Sequence, residues 1–240
     1  MIRAIAFDLD GTLIDTAPDL GASANLMLGR LGRPPLPLTA IPNLIGAGIS
    51  AFVQRVLEES GAEVTRDPVL HAGAEALFRR IYREHLFERS RIYPDVRSTL
   101  KYLVETGTAL CCITNKESSF TSHLLTAAHL DVYFQHTLCA DYIEDRKPSP
   151  NLLLQAAARL GIHPSAILYV GDSRSDIIAA RAAGCRVAAV SYGYQDAHSL
   201  DQLHPDEMID SLSEITELTT ALCGTNECSD RFLTVTGGQP

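Results

Sequence analysis

The chain has 240 residues, 46% of them hydrophobic, and a formal net charge of −9. That length allows one large core or a core with a smaller companion. The acidic balance excludes a surface built to neutralise nucleic-acid phosphates or anionic lipid, so neither a nucleic-acid nor a membrane partner is expected, and no segment approaches the ~20 apolar residues of a membrane span.

Ile2 to Phe7 is an apolar run of strand length, and charged Asp8 follows too soon for a signal-peptide core with a cleavage site. Asp8 and Asp10 stand two apart, so both carboxylates project near one point at a strand end. Acids this close repel one another and raise a pKa unless a cation lies between them, and a hard divalent ion with oxygen ligands resolves the conflict. Gly11 permits a sharp turn and Thr12 adds a hydroxyl. Asp8-Leu9-Asp10-Gly11 also reads as an ordinary strand-end turn, since Asp-Gly is a common turn dipeptide.

From Thr16 to Arg91 the pattern is helical, with no convincing buried strand. It predicts a helical insertion over 16–91 in an α/β core made of 1–15 and 92–222. Thr16-Ala17-Pro18-Asp19 has the form of a capping box, with Leu20, Ala24 and Leu28 on one face behind it. Gly46 and Gly48, in Leu44-Ile45-Gly46-Ala47-Gly48, precede an apolar helical stretch. They read either as a flexible linkage or as a place where backbone donors approach a small anion. Leu77, Ile81 and His85 or Leu86 recur at helical spacing, and Arg79, Arg80 and Arg83 fall on the other side as a solvated face.

Beyond Arg91, strands and helices alternate. Apolar runs at Ala109 to Ile113, Thr137 to Ala140, Ala166 to Val170 and Arg186 to Val190 are separated by amphipathic stretches at Phe120 to Ala128, Pro150 to Leu160 and Asp176 to Ala183, with another at Val96 to Glu105. This alternation predicts an α/β fold, a doubly wound parallel sheet of Rossmann-like type whose ligands bind at the carboxyl edge. Cys111 and Cys112 would point to opposite faces of their strand. With six cysteines and no Cys-x-x-Cys pair, core packing and reduced thiols in a cytoplasm are expected. The eight histidines show no metal-ligand spacing. After Leu222 the chain turns polar, and 223–240 reads as a flexible tail.

Three later strand ends carry chemistry. Ala109 to Ile113 runs into Thr114-Asn115-Lys116, a hydroxyl and an amide suited to phosphoryl oxygens. Lys147 precedes Pro148-Ser149-Pro150, where Ser149 caps a helix and Pro150 takes its first position. An ammonium there stands beside a positive helix end; a solvated surface lysine is the plain alternative. Val170 leads into Gly171-Asp172-Ser173-Arg174-Ser175-Asp176, with Asp172 placed to ligate an ion and Asp176 to reach in through water or a ligand-orienting bond.

In this order and at these strand ends, Asp8-Leu9-Asp10-Gly11-Thr12-Leu13, Thr114, Lys147 and Gly171-Asp172 with Asp176 resemble the haloacid dehalogenase superfamily of phosphatases. The likeness runs from Ile2 to about Tyr194. It implies a magnesium-dependent phosphatase acting on a small phosphorylated substrate, with the helical insertion over 16–91 as a small cap that closes over it. Asp8 would be the nucleophile and Asp10 the acid–base, with Thr114 and Lys147 on the phosphoryl oxygens. Asp8, the carbonyl of Asp10 and Asp172 would hold Mg2+, with Asp176 and Asn115 in support.

Within the superfamily, an aspartate at position 10 disfavours the dehalogenase branch, and the lack of any lysine between Asp10 and Arg91 disfavours the phosphonate-cleaving branch. Gly46-Ala47-Gly48, Tyr93-Pro94-Asp95-Val96, Thr114-Asn115-Lys116, Gly171-Asp172-Ser173-Arg174 and Tyr192-Gly193-Tyr194 further resemble the phosphoglycolate phosphatases. Two departures stand out: Asp95 where glycine is usual, and Glu144-Asp145-Arg146 in place of a lysine-rich approach to Lys147. They leave room for a relative acting on pyrophosphate, a sugar phosphate or a nucleotide. A phosphoglucomutase-like enzyme is the nearest mechanistic rival, whereas the complete set of Asp8, Asp10, Thr114, Lys147 and Asp172 disfavours a non-catalytic binding protein.

Overall fold

The computed structural model describes residues 1–63, 67–195 and 197–223. Its strands are β1 (Ala4–Phe7), β2 (Ile14–Asp15), β3 (Arg91–Ile92), β4 (Ala109–Thr114), β5 (His136–Cys139), β6 (Ile167–Gly171), β7 (Arg186–Val190) and β8 (Glu207–Ile209). Its α-helices are α1 (Ala17–Arg30), α2 (Ile49–Glu59), α3 (Pro68–Glu84), α4 (Val96–Glu105), α5 (Ser118–Ala127), α6 (Asn151–Leu160), α7 (Arg174–Ala183), α8 (Ala197–Asp201) and α9 (Glu214–Cys223).

The main sheet is parallel and runs β5-β4-β1-β6-β7-β8. Its central strands are buried on both faces, and their side chains alternate. Ile5 and Phe7 of β1, Leu110 and Cys112 of β4, and Leu168 and Val170 of β6 join one core with Val96, Leu100 and Leu103 of α4. Ala4, Ala6, Cys111, Ile113, Ile167 and Tyr169 face the opposite core, against Leu152 and Leu153 of α6 and Ile177 of α7. The two neighbouring cysteines therefore divide between the faces, and both are free thiols. In register, Phe7 pairs with Cys112 and with Val170, so the chain leaves β1, β4 and β6 at one edge.

β8 is not predicted by the sequence pattern, because Glu207-Met208-Ile209 is short and carries an acid. Nor are β2 and β3, which pair antiparallel as a two-residue ribbon, Ile14 with Ile92 and Asp15 with Arg91. Between them lie α1, α2 and α3, the segment expected to form the cap. Leu20, Ala24, Met27 and Leu28 of α1, Phe52, Val53 and Val56 of α2, and Phe78, Ile81 and Tyr82 of α3 form a separate apolar cluster.

Four local expectations are corrected. Thr16 forms no side-chain cap on α1; its hydroxyl turns to Asp10. Asp19 instead accepts from Arg89 N at 2.8 Å and from Ser90 N at 3.0 Å, with Ser90 Oγ as a third donor. A local capping box thus gives way to tertiary partners that tie the start of the cap to its end. On α3 the buried stripe is Ala74, Phe78, Ile81 and Tyr82, with Leu77 only partly buried and His85 at the helix end. Arg79 is no solvated residue: its guanidinium grips Glu75 one turn back and Glu117 before α5. Arg83 lies over the Phe120 ring at 5.5 Å, while Arg80 is exposed. Before α6 the cap position falls to Pro150, with no side-chain cap on the helix, although Ser149 Oγ still accepts from Asn151 N at 3.4 Å.

Asp95 begins α4 at φ 61°, in the left-handed region where glycine is the easy residue and aspartate one of the few tolerated substitutes. Its carboxylate accepts from Ser211 Oγ at 3.0 Å. The tail expected over 223–240 lies outside the described residues, apart from Cys223, which ends α9.

Candidate active site

A cavity of about 340 Å³ opens at the carboxyl edge of the sheet, between the core and the cap. Asp8, Asp10, Thr114, Lys147 and Asp172 line it from the core, and Leu20, Ile45, Ile49 and Phe52 from the cap. Three of these core residues are delivered by strand ends, and Lys147 by the loop between β5 and α6. Asp8 follows β1, Thr114 closes β4 and Asp172 follows β6.

Asp8, Asp172 and Asp176 each offer a carboxylate oxygen within 4.8 Å of the others. Lys147 is the cation that meets them, with Nζ 2.7 Å from Asp8 Oδ1 and 2.6 Å from Asp176 Oδ1. It also donates to the Tyr169 hydroxyl at 2.9 Å. All four charged side chains are buried. Burial, opposed by Lys147 and reinforced by Asp176 and Asp10, pushes the Asp8 carboxyl up to about 7. Burial and the neighbouring Asp176 and Asp8 raise Asp172 well above the carboxylate range. Burial alone would lower the Lys147 ammonium, but Asp176 and Asp8 outweigh it and hold the group above its usual value.

The loops close tightly around Asp172. Its carboxylate accepts from Tyr194 N at 2.8 Å and from Thr12 Oγ1 at 3.3 Å. A Cβ on Gly11 would fall 2.2 Å from Asp172 Oδ2, and one on Gly193 would fall 2.1 Å from Asp172 Cβ. Glycine at both places is what lets the acid lie against the backbone. Asp176 completes a capping box with Ser173 at the start of α7 while its other oxygen meets Lys147.

These residues fit a divalent cation. Three buried carboxylates face one ammonium, so their full ionisation would leave two negative charges in a space sheltered from water. The oxygen-only donor set suits a hard ion. The Asp10 side chain is not in this cluster. It meets Thr16 Oγ1 at 2.6 Å and Lys116 Nζ at 2.9 and 3.0 Å instead.

The other expected residues are placed as follows. Thr114 Oγ1 accepts from Lys116 N at 3.1 Å, leaving its own proton free to donate. The Asn115 amide is spent inside the protein: Nδ2 donates to Gly46 O at 2.8 Å and Lys147 O at 3.1 Å, and Oδ1 accepts from Lys147 N at 2.7 Å. It fastens the Lys147 loop to the cap and is no donor to a ligand. Gly46 and Gly48 line the cavity with φ of 118° and 84°, Gly48 standing just before α2.

Sequence reasoning missed Lys116 and Tyr194. The Tyr194 hydroxyl accepts from Thr16 N at 2.6 Å and Ala17 N at 2.9 Å and lies 3.0 Å from Asp15 Oδ1, so it pins the first turn of the cap. Lys116 directly follows Thr114-Asn115, and its adjacency to a strand-end motif was the available signal.

A profile of the haloacid dehalogenase-like hydrolases matches residues 5–190. A phosphoglycolate phosphatase of Nitrosospira multiformis is 43% identical over 217 residues, covering 90% of this chain and 95% of that protein. A phosphoglycolate phosphatase of Neisseria gonorrhoeae is 42% identical over 219 residues, covering 90% and 92%. Among solved structures, a predicted phosphoglycolate phosphatase of Haemophilus somnus superposes with a TM-score of 0.82 at 33% identity, covering 91% of this chain and 98% of that one.

Proposed function

The chain belongs to the haloacid dehalogenase-like hydrolases, and from that premise we propose that it is a phosphatase that hydrolyses 2-phosphoglycolate to glycolate and phosphate. The observation that carries this reading is the buried Asp8 carboxylate, held at the cavity floor 2.7 Å from Lys147 and beside Asp172. The substrate is supported by relatives of that name at 42–43% identity over nine-tenths of the chain. A cavity of about 340 Å³ suits a small ester.

In the proposed reaction an oxygen of Asp8 attacks phosphorus, and the bond from phosphorus to the ester oxygen breaks. Asp10 gives its proton to the departing glycolate oxygen. Thr114 and Lys147 hold the phosphoryl oxygens, Lys147 also screening Asp8 from the incoming dianion. In the second half Asp10 takes a proton from water, whose oxygen attacks the aspartyl-phosphate. The bond from phosphorus to Asp8 breaks, releasing phosphate and restoring both acids.

Asp8, Asp172 and the Asp10 carbonyl are the proposed ligands of Mg2+, with Asp176 orienting Lys147. When bound, the ion neutralises charge on the phosphoryl group and on Asp8. Residues 16–91 are read as a cap domain that excludes water over a core of 1–15 and 92–222, supported by the separate apolar cluster of the insertion. Gly46 and Gly48 are the proposed approach for the substrate's carboxylate, through backbone donors at the start of α2. The proposed location is the cytoplasm; among the described residues no helix is long and apolar enough to cross a membrane.

A screen of small phosphate esters with Mg2+, reading free phosphate, tests the assignment. Release from 2-phosphoglycolate well above that from sugar phosphates and pyrophosphate supports it. Preference for either of the latter reassigns the substrate, and isomerisation of a sugar phosphate without phosphate release makes the enzyme a mutase.

A further inference from the structure

Every residue of Asn115-Lys116-Glu117, the segment that leaves β4, touches the cap. Asn115 Nδ2 donates to Gly46 O at 2.8 Å. The Lys116 ammonium stands 5.2 Å from the centroid of the Tyr82 ring on α3. The Glu117 carboxylate takes both arms of the Arg79 guanidinium, also on α3, at 2.5 and 2.6 Å.

Lys116 faces two ways, because the same ammonium meets both oxygens of Asp10. Its side chain is 3% exposed, and an ammonium removed from water that far must be paired. Burial would lower it, but Asp10 and Tyr82 outweigh burial and keep it charged. The reaction outlined above uses Asp8, Asp10, Thr114 and Lys147 and gives this buried cation no task.

We propose that Lys116 is a positioning residue for Asp10 and that the cap, through Tyr82, holds Lys116 in place. The inference rests on the reading of Asp10 as the group that exchanges a proton with the leaving oxygen. A carboxylate at a cavity wall samples several rotamers; two donors from different elements select one. Both donors are set by the cap. Thr16 immediately precedes α1, and Lys116 lies under α3, where Tyr82 is itself packed between Phe78 and Phe120 at 5.6 and 5.3 Å. Asp10 is therefore aligned when the cap is seated on residues 115–117 and loosened when it lifts.

The test compares kcat and KM of the wild type, Lys116→Met, Lys116→Arg and Tyr82→Leu, with Mg2+, on two esters. One is 2-phosphoglycolate, or whichever alkyl phosphate the wild type prefers, whose alkoxide leaving group needs a proton. The other is para-nitrophenyl phosphate, whose leaving group does not. Lys116→Met is expected to lower kcat on the alkyl ester roughly 100-fold at nearly constant KM, and on the nitrophenyl ester less than about fivefold. Lys116→Arg should recover part of the loss, and Tyr82→Leu should show the same selectivity at smaller amplitude.

Equal losses on both esters overturn the proposal. So does a raised KM with unchanged kcat on the alkyl ester, which would make Lys116 a contact of the substrate's second anionic group. Circular dichroism checks folding; if Lys116→Met does not fold, Tyr82→Leu and Glu117→Gln carry the same comparison from the cap side. A wild type that releases phosphate from neither ester removes the phosphatase reading and this inference with it. An active wild type matched by Lys116→Met removes the inference alone.

Discussion

Lys147 Nζ and Asp8 Oδ1 lie 2.7 Å apart at the floor of the cavity, and the pair is unequal: the same ammonium also answers Asp176 at 2.6 Å, with Asp172 close by. One cation thus meets more carboxyl groups than it can balance once all of them ionise.

Lys147→Ala strips that cation from a buried acidic cluster. Breaking a buried pair in this way costs about 3–5 kcal/mol, and loss of a phosphoryl-oxygen donor should lower kcat roughly 10²- to 10³-fold. Thermal unfolding with and without Mg2+ checks the first effect, and added Mg2+ should return part of the stability but little of the rate. Asp8→Asn should instead abolish turnover while leaving the unfolding transition intact.

The same surplus predicts how stability depends on pH. Asp8 keeps its proton in the folded chain up to about 7, against 3.8 when unfolded, and Asp172 is shifted in the same direction. Between those limits the folded state binds more protons, so in EDTA the protein should lose stability as pH rises from about 4 to about 7. Mg2+ favours the ionised carboxylates and should flatten or reverse that slope. Urea midpoints across the range, with and without the metal, read it directly; an unchanged slope on adding Mg2+ would count against the site.

Gly193→Ala places a Cβ against Asp172, 2.1 Å from that residue's own Cβ. The acid must move, and the Mg2+ concentration for half-maximal rate should rise roughly tenfold or more. Gly73→Ala is the control. It lies on α3 with nothing within 4 Å of the added carbon, and it should gain up to about 1 kcal/mol of stability with no change in metal requirement.

Asp19 is 1% exposed and is the acceptor for Arg89 N, Ser90 N and Ser90 Oγ. Asp19→Ala leaves these donors without a partner, and urea unfolding should show a loss of roughly 3 kcal/mol. Ser90→Ala, which removes a single donor, should lose about 1 kcal/mol.

The sheet was legible because its central strands are short apolar runs bounded by polar turns, and because parallel order brings successive strand ends to one edge. That is why Asp8, Thr114 and Asp172 could be named as neighbours from sequence alone. Lys116 could not be given its task in the same way. Its partner Asp10 lies on another strand's exit loop and its packing partner Tyr82 on α3, so only the folded register joins them. Asp19 and Arg79 misled for a related reason. Each fits a local helix rule, yet each finds stronger partners across the fold, at Ser90 and Glu117. The Asn115 amide, expected on phosphoryl oxygens, is taken instead by the backbone of Lys147 and Gly46.

The ribbon of β2 and β3 gives the insertion a property of its own. The chain departs at Ile14-Asp15 and returns at Arg91-Ile92 through strands bonded to each other, and none of the described residues between them contributes to the six-stranded sheet. On the proposed division into core and cap, a short turn joining the two ribbon strands would leave the strand order unchanged. Such an exchange would change the clientele. With its roof removed, the shelf that carries Asp8 would lie open to phosphate groups borne on polypeptides as readily as to those on free metabolites.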